Sequence, residues 1–174
     1  MPIVYIPEQV NPFRFAEQRA KLQGVVRIED LSRLCASLSK PEGAIEVEID
    51  FGVDEQGIVF LQGHLDARVV LQCQRCMEYF NYEIIDTFVY GVASKAEEAA
   101  SFPEKYESIV ANDSLIDIRD VIEDELILSM PAVPMHQPHE CKVTMPYKDA
   151  GWDREERNPF HILKNSSKHK SSEK

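Results

Sequence analysis

The sequence predicts an α+β fold, an antiparallel β-meander with helices before and after it, on three observations. Apolar residues alternate from Ala44 to Phe51, where Ile45, Val47, Ile49 and Phe51 oppose Glu46, Glu48 and Asp50, as in a strand with one wet face. Helical periodicity precedes this run and returns at about residues 115–130. The stretch 131–150 then has too many prolines and too few alternating apolar residues for regular structure. Alternation alone leaves open whether the sheet, about residues 44–92, stays flat or curls into a barrel-like form.

Taken in order, residues 3 to 6 are a short apolar run between Pro2 and Pro7, compatible with an edge strand or an ordered arm. Asn11 as N-cap and Pro12 at the first helical position start a helix through PFRFAEQRAKL, with Gly24 to stop it. A second helix, about Glu29 to Leu38, lines up Leu31, Leu34, Cys35 and Leu38 on one face and makes Cys35 a small buried thiol. After the 44–51 strand, Asp54 to Gly57 form a turn and IVFLQGHL returns as the hairpin partner, with Gly63 as a bulge. DARVVLQ is the third strand and YFNYEIIDTFVYGV the fourth, with Cys73 and Cys76 in the bend between them. Lys95 to Glu104 read as an acidic helical or irregular excursion, and Tyr106 to Ala111 as a short fifth strand. Asp113 or Ser114 precedes the last helix, whose Ile118, Val121, Ile122 and Leu126 form an apolar face; Pro131 and Pro134 end it.

Length is most simply met by one globular domain over residues 1–160, with 161–174 as a disordered basic tail rich in Ser and Lys. The net charge of −11 opposes unaided binding to a polyphosphate and suits a basic protein partner. No DNA binding is expected. The N-terminus has neither the charged region nor the long apolar run of a signal peptide, and no apolar run reaches the ~20 residues of a membrane span. Cysteines spaced as Cys-x-x-Cys in a chain of this length suit a reducing cytoplasm better than a disulfide scaffold.

Cys73 and Cys76, with Cys141 and either His136 or His139, offer the thiolate and imidazole donors that structural Zn²⁺ prefers, and a metal could hold the proline-rich lobe. The other reading of these residues is three packed free thiols beside solvated histidines. A thioredoxin-like role does not fit, because the flanks of the pair are both strand-like. Arg75, between the two thiols, is either a solvated cation or a forked donor for a partner's phosphate or carboxylate. Glu125 falls on the apolar face of the last helix, where an unpaired charge is costly, and Arg68 and Arg75 are its candidate partners. Asp117, Asp120, Glu123 and Asp124 read as a solvated face or as a surface for a basic protein, rather than a catalytic metal cluster. No phosphate-binding glycine loop, nucleophile elbow or His-Glu-x-x-His motif is present.

Four segments in this order, LQCQRC at 71–76, VIEDELILSMPAVPMH at 121–136, Cys141 and NPF at 158–160, resemble the bacterial YceD family of large ribosomal RNA subunit accumulation proteins. The resemblance covers nearly the full chain. It implies a cytoplasmic, non-enzymatic factor supporting synthesis, processing or accumulation of large-subunit ribosomal RNA. Its implied partner is a basic large-subunit ribosomal protein or a pre-ribosomal particle. Cys73, Arg75, Cys76, Glu123, Asp124, Glu125, Pro131, His136 and Cys141 fall on the family pattern, and His136 matches it better than His139. Arg75, Glu123, Asp124 and Glu125 are then the candidate partner-binding residues, and Cys73, Cys76, His136 and Cys141 the metal set. The alternatives are a zinc-stabilised module that contacts ribosomal RNA directly, and an RNA-processing hydrolase.

Overall fold

The structure is a computed structural model that describes residues 6–143. The predictions for residues 3 to 5, for 144–150 of the lobe and for the tail lie outside that range. The chain enters through a two-residue strand, β1 (Gln9–Val10), and a helix, α1 (Pro12–Glu17). Asn11 caps α1 as its sequence dictates, accepting a hydrogen bond from the Arg14 N–H at 3.0 Å. The helix ends well before the predicted stop at Gly24. Arg19 adopts a left-handed φ of 49°, its N–H bonds to Ala16 O, and the Ala20 N–H reaches back to Phe15 O. This is a Schellman turn with Arg where Gly is usual, so no glycine announced it. KLQGVVR is therefore a strand, β2 (Lys21–Arg27), and not the end of the helix.

The predicted 29–38 helix is also interrupted. A 3₁₀ turn (Ile28–Asp30) and a helix, α2 (Ser32–Ser37), are separated by Leu31, which is extended at φ −112° and ψ 92°. Leu31, Leu34 and Leu38 are buried as the stripe predicts, while Cys35 is only half-buried and bonds to Ile28 O at 3.1 Å.

The alternating run is strand β3 (Ala44–Val53), followed by β4 (Val59–Gln72) and β5 (Tyr79–Ala93). The predicted second and third strands are one: β4 runs unbroken, pairing Val59–Ala67 with β3 and its whole length with β5. Gly63 is not a bulge. It lies in register between Ile49 and Phe88, and a Cβ there would sit 2.0 Å from the Phe88 ring, so its lack of a side chain makes room for that ring. A short helix, α3 (Ala96–Ala99), leads to β6 (Glu107–Val110), which pairs parallel with Tyr90–Ala93. β7 (Ile116–Asp117) pairs with β1, and α4 (Ile118–Ser129) follows, capped by Asp117 and not by Asp113 or Ser114.

The main sheet has the order β2-β3-β4-β5-β6 and, among the described residues, does not close into a barrel. Its inner face contributes Ile45, Val47, Ile49, Leu61 and Leu65, which share one core with Leu34 and with Ile118, Ile122 and Leu126 of α4. Each such side chain contributes about 1.5–3 kcal/mol by leaving water. The outer face keeps the predicted wet residues, Glu46, Glu48 and Asp50 among them. α4 lies along β5: Glu125 meets Tyr90, Ser129 meets Asp86, and the chain beyond stacks His136 on Phe80 at 4.7 Å between ring centroids. That path carries residues 131–141 to the far end of β4, where the Cys-x-x-Cys sits.

Candidate metal centre and the carboxylates of the last helix

The bend after β4 folds Cys73 and Cys76 onto one side. The Met77 N–H bonds to Cys73 O and the Cys73 N–H to Glu78 O, both at 2.9 Å, and Met77 takes a left-handed φ of 62°. The lobe is pinned to this knuckle by Gln74 N–H to Pro134 O at 2.8 Å, which sets His136 over it. One further turn, with the Cys141 N–H on Gln137 O at 3.2 Å, brings back the third thiol. The donor atoms of Cys73, Cys76, His136 and Cys141 all lie within 4.8 Å of one another, and Cys76 Sγ is 3.3 Å from His136 Nδ1. His139 takes no part: it is exposed, 3.7 Å from Glu140.

The crowded thiols do not ionise alike. Burial opposes ionisation of Cys73, but the N–H groups of Cys76, His136 and Arg75 and the His136 ring outweigh it and bring the thiol down to about 5. Cys76 moves the other way. Against the Glu78 N–H, which favours its thiolate, burial and the sulfurs of Cys73 and Cys141 push it up. Crowded sulfurs resist a shared negative charge, and a divalent cation among them would remove the repulsion. A tetrahedral zinc with Zn–S of about 2.3 Å needs donor atoms roughly 3.5–3.8 Å apart, which this cluster approaches. The residues fit the ion. Four protein donors would leave no open position for substrate, so the chemistry such an ion supplies is a crosslink.

Arg75 is not the free cation expected at the knuckle's surface. It is half-buried, and its Nε donates to Cys141 Sγ at 3.0 Å while Nη2 donates to His136 O at 3.2 Å. It braces the lobe through these two bonds.

The carboxylates of α4 do not form one surface either. Glu123, expected on the wet face, is 4% exposed. It accepts from the backbone N–H groups of Arg33 at 2.6 Å and Leu34 at 2.9 Å, and from Arg33 Nε at 2.8 Å. Leu31 stands at the N-cap of α2 without a capping side chain, and Glu123 supplies the missing acceptor from another element. Asp124 is half exposed and pairs with Arg33 as well. Glu125 is buried as predicted, but not against Arg68, which pairs with Glu83 on the outer face, nor against Arg75. The Tyr90 hydroxyl donates to it instead. Burial raises the Glu125 carboxyl, with Asp86, Glu107 and Asp124 adding to the effect against the Tyr90 bond. Burial and the Glu125 charge raise the Tyr90 phenol in turn.

Residues 61–173 match the family described as Large ribosomal RNA subunit accumulation protein YceD. The chain belongs to the YceD family. Over 170 residues, 95% of this chain and 98% of the relative, it is 34% identical to the Large ribosomal RNA subunit accumulation protein YceD of Haemophilus influenzae. No solved structure matches it. In this YceD-family chain the four metal candidates named from the sequence meet, whereas the four partner-binding candidates do not. Sequence reasoning missed Arg33 and Tyr90, the groups that engage Glu123, Asp124 and Glu125. The signal for Arg33 was an apolar residue, Leu31, at a helix start, which left N–H groups wanting an acceptor. Tyr90 had none beyond its place in the predicted fourth strand.

Proposed function

We propose that this chain supports accumulation of the large ribosomal subunit's RNA as a non-enzymatic binding factor in the cytoplasm. The observation that carries the reading is the match along 95% of the chain to a relative named for that role. In this reading Cys73, Cys76, His136 and Cys141 hold a structural zinc that ties the lobe to the end of β4. The partner is a basic large-subunit ribosomal protein, free or within a pre-ribosomal particle. A net charge of −11 supports a basic partner, whose encounter it would accelerate. Direct contact of Arg75 with RNA is the weaker reading, because the side chain is half-buried and is turned to the lobe by its bonds to Cys141 and His136.

Depleting the protein should lower large-subunit ribosomal RNA relative to small-subunit RNA, and resupply should restore the ratio; an unchanged ratio would refute the role. Binding of purified protein to ribosomal RNA, titrated with salt, separates the partner classes. Tight binding that weakens steeply with salt would favour RNA over a ribosomal protein.

A further inference from the structure

β5 is paired on both sides for only part of its length. β6 covers Tyr90–Ala93, and among the described residues no strand pairs with Tyr79–Val89 on the side away from β4. Thr87 shows which way the free groups point: its N–H bonds to the Asp86 side chain at 2.8 Å instead of to β4. Antiparallel alternation turns the N–H and C=O of Glu83 and Ile85 the same way. An open edge of this kind is a template for another strand unless it is blunted.

Here the flanks of the edge are apolar. Leu128 at 74% and Ile85 at 63% are the most exposed large hydrophobic residues among those described. Ser129, next to Leu128, donates its Oγ–H to Asp86, next to Ile85, at 2.6 Å, so Leu128 and Ile85 flank the same stretch of β5 from opposite faces of the sheet. Glu123 points α4 toward α2, and five residues on is about 140° around the helix. Leu128 therefore faces the other flank, toward the free edge. A strand added beside β5 would set one row of side chains against Leu128 and the other beside Ile85. Its charge environment is acidic: Glu83 and Asp86 lie on β5 and Glu107 stands opposite Tyr90, while the cation Arg68 is bound to Glu83 and Asp124 of α4 is taken up by Arg33.

We propose that the β5 edge between Asn81 and Val89 receives an extended basic segment of a protein partner as an added strand. Main-chain hydrogen bonds would hold it, with Leu128 and Ile85 as its apolar contacts and the surrounding carboxylates selecting for Lys and Arg. The proposal rests on the protein-partner reading above and specifies where, and in what conformation, that partner binds.

The test uses the full chain immobilised, with proteins extracted from purified large ribosomal subunits as the probe. Hydrogen exchange is then followed on the retained complex and on the free protein. The wild type should retain a basic protein, and the outward-facing amides of Glu83 and Ile85 should gain protection only in the complex. Leu128→Lys and Ile85→Lys, both at exposed positions, should lower retention at least tenfold with unchanged circular dichroism, while the charge-matched Gln62→Lys on the outer face of β4 should not. Retention that survives both edge variants, or that leaves the edge amides unprotected, overturns the proposal and leaves the protein-partner reading standing. Edge amides already protected in the free protein would mean that its own chain or a second copy occupies the edge, and would also overturn it. No retained protein at all would refute both.

Discussion

α4 and the lobe that follows it lie on the same side of the same sheet, yet they are held by different chemistry. α4 buries Ile118, Val121, Ile122 and Leu126 in the common core and adds the Glu123 bonds to α2. Among residues 131–143 only Cys141 is buried, while Val133, Met135 and Val143 are exposed. Apolar burial secures the helix; the lobe depends on one backbone bond, from Gln74 N–H to Pro134 O, on Arg75 and on the cluster of three sulfurs with His136. The lesson is that a segment without a core of its own takes its order from a few strong, directional donors, and fails when those are removed.

The sharpest way to break this contrast is to remove a sulfur. Cys141→Ser, or chelation of metal from wild type, is expected to raise hydrogen exchange across 131–141 while leaving the amides of β3 and β4 protected. Zinc measured on freshly purified protein should fall with it, affinity dropping roughly 100-fold or more, since losses beyond the ligand shell alone reach that size. Exchange that rises equally in lobe and sheet would show that the two are one cooperative unit.

On the helix side, Glu123→Ala strips the start of α2 of its acceptor and should cost about 2–4 kcal/mol in denaturant unfolding, with zinc content unaltered. Gly63→Ala, which tests the sheet under the helices, should cost about 1–3 kcal/mol as the Phe88 ring is displaced. Tyr90→Phe removes the donor to a buried carboxylate and should cost about 1 kcal/mol.

The smallest effect is expected at Glu125. A carboxyl raised in the folded state stabilises folding when protonated, so its contribution is present at low pH and is lost as pH rises through the folded value. Glu125→Gln keeps an acceptor for Tyr90 without the charge. Relative to wild type it should gain stability as pH rises above the ordinary glutamate value of about 4.3. Equal pH dependence of the two proteins would show that the carboxylate is not held against its charge.

The elements that the sequence made legible are those whose pattern is local. Strict alternation located β3, Asn11 and Pro12 marked the start of α1, and the apolar periodicity of 118–126 gave the inner face of α4. What failed locally also has local reasons. The stop after α1 uses Arg19 in a conformation that glycine normally marks, and Leu31 breaks a helix with a side chain that favours one. Gly63 looked like an irregularity because the ring that needs its space, Phe88, is distant in sequence.

The candidate site divides in the same way. The sequence by itself determined which atoms are available: sulfur and imidazole at 73, 76, 136 and 141, and three consecutive carboxylates at 123–125. Only the tertiary structure decided what each of them does. Donor type is a property of the residue, whereas burial and partner depend on which elements the fold lays side by side. Adjacent residues on a helix point about 100° apart, so Glu123 reaches α2 and Glu125 reaches β5, and the knuckle's Arg75 turns inward because the lobe happens to end there.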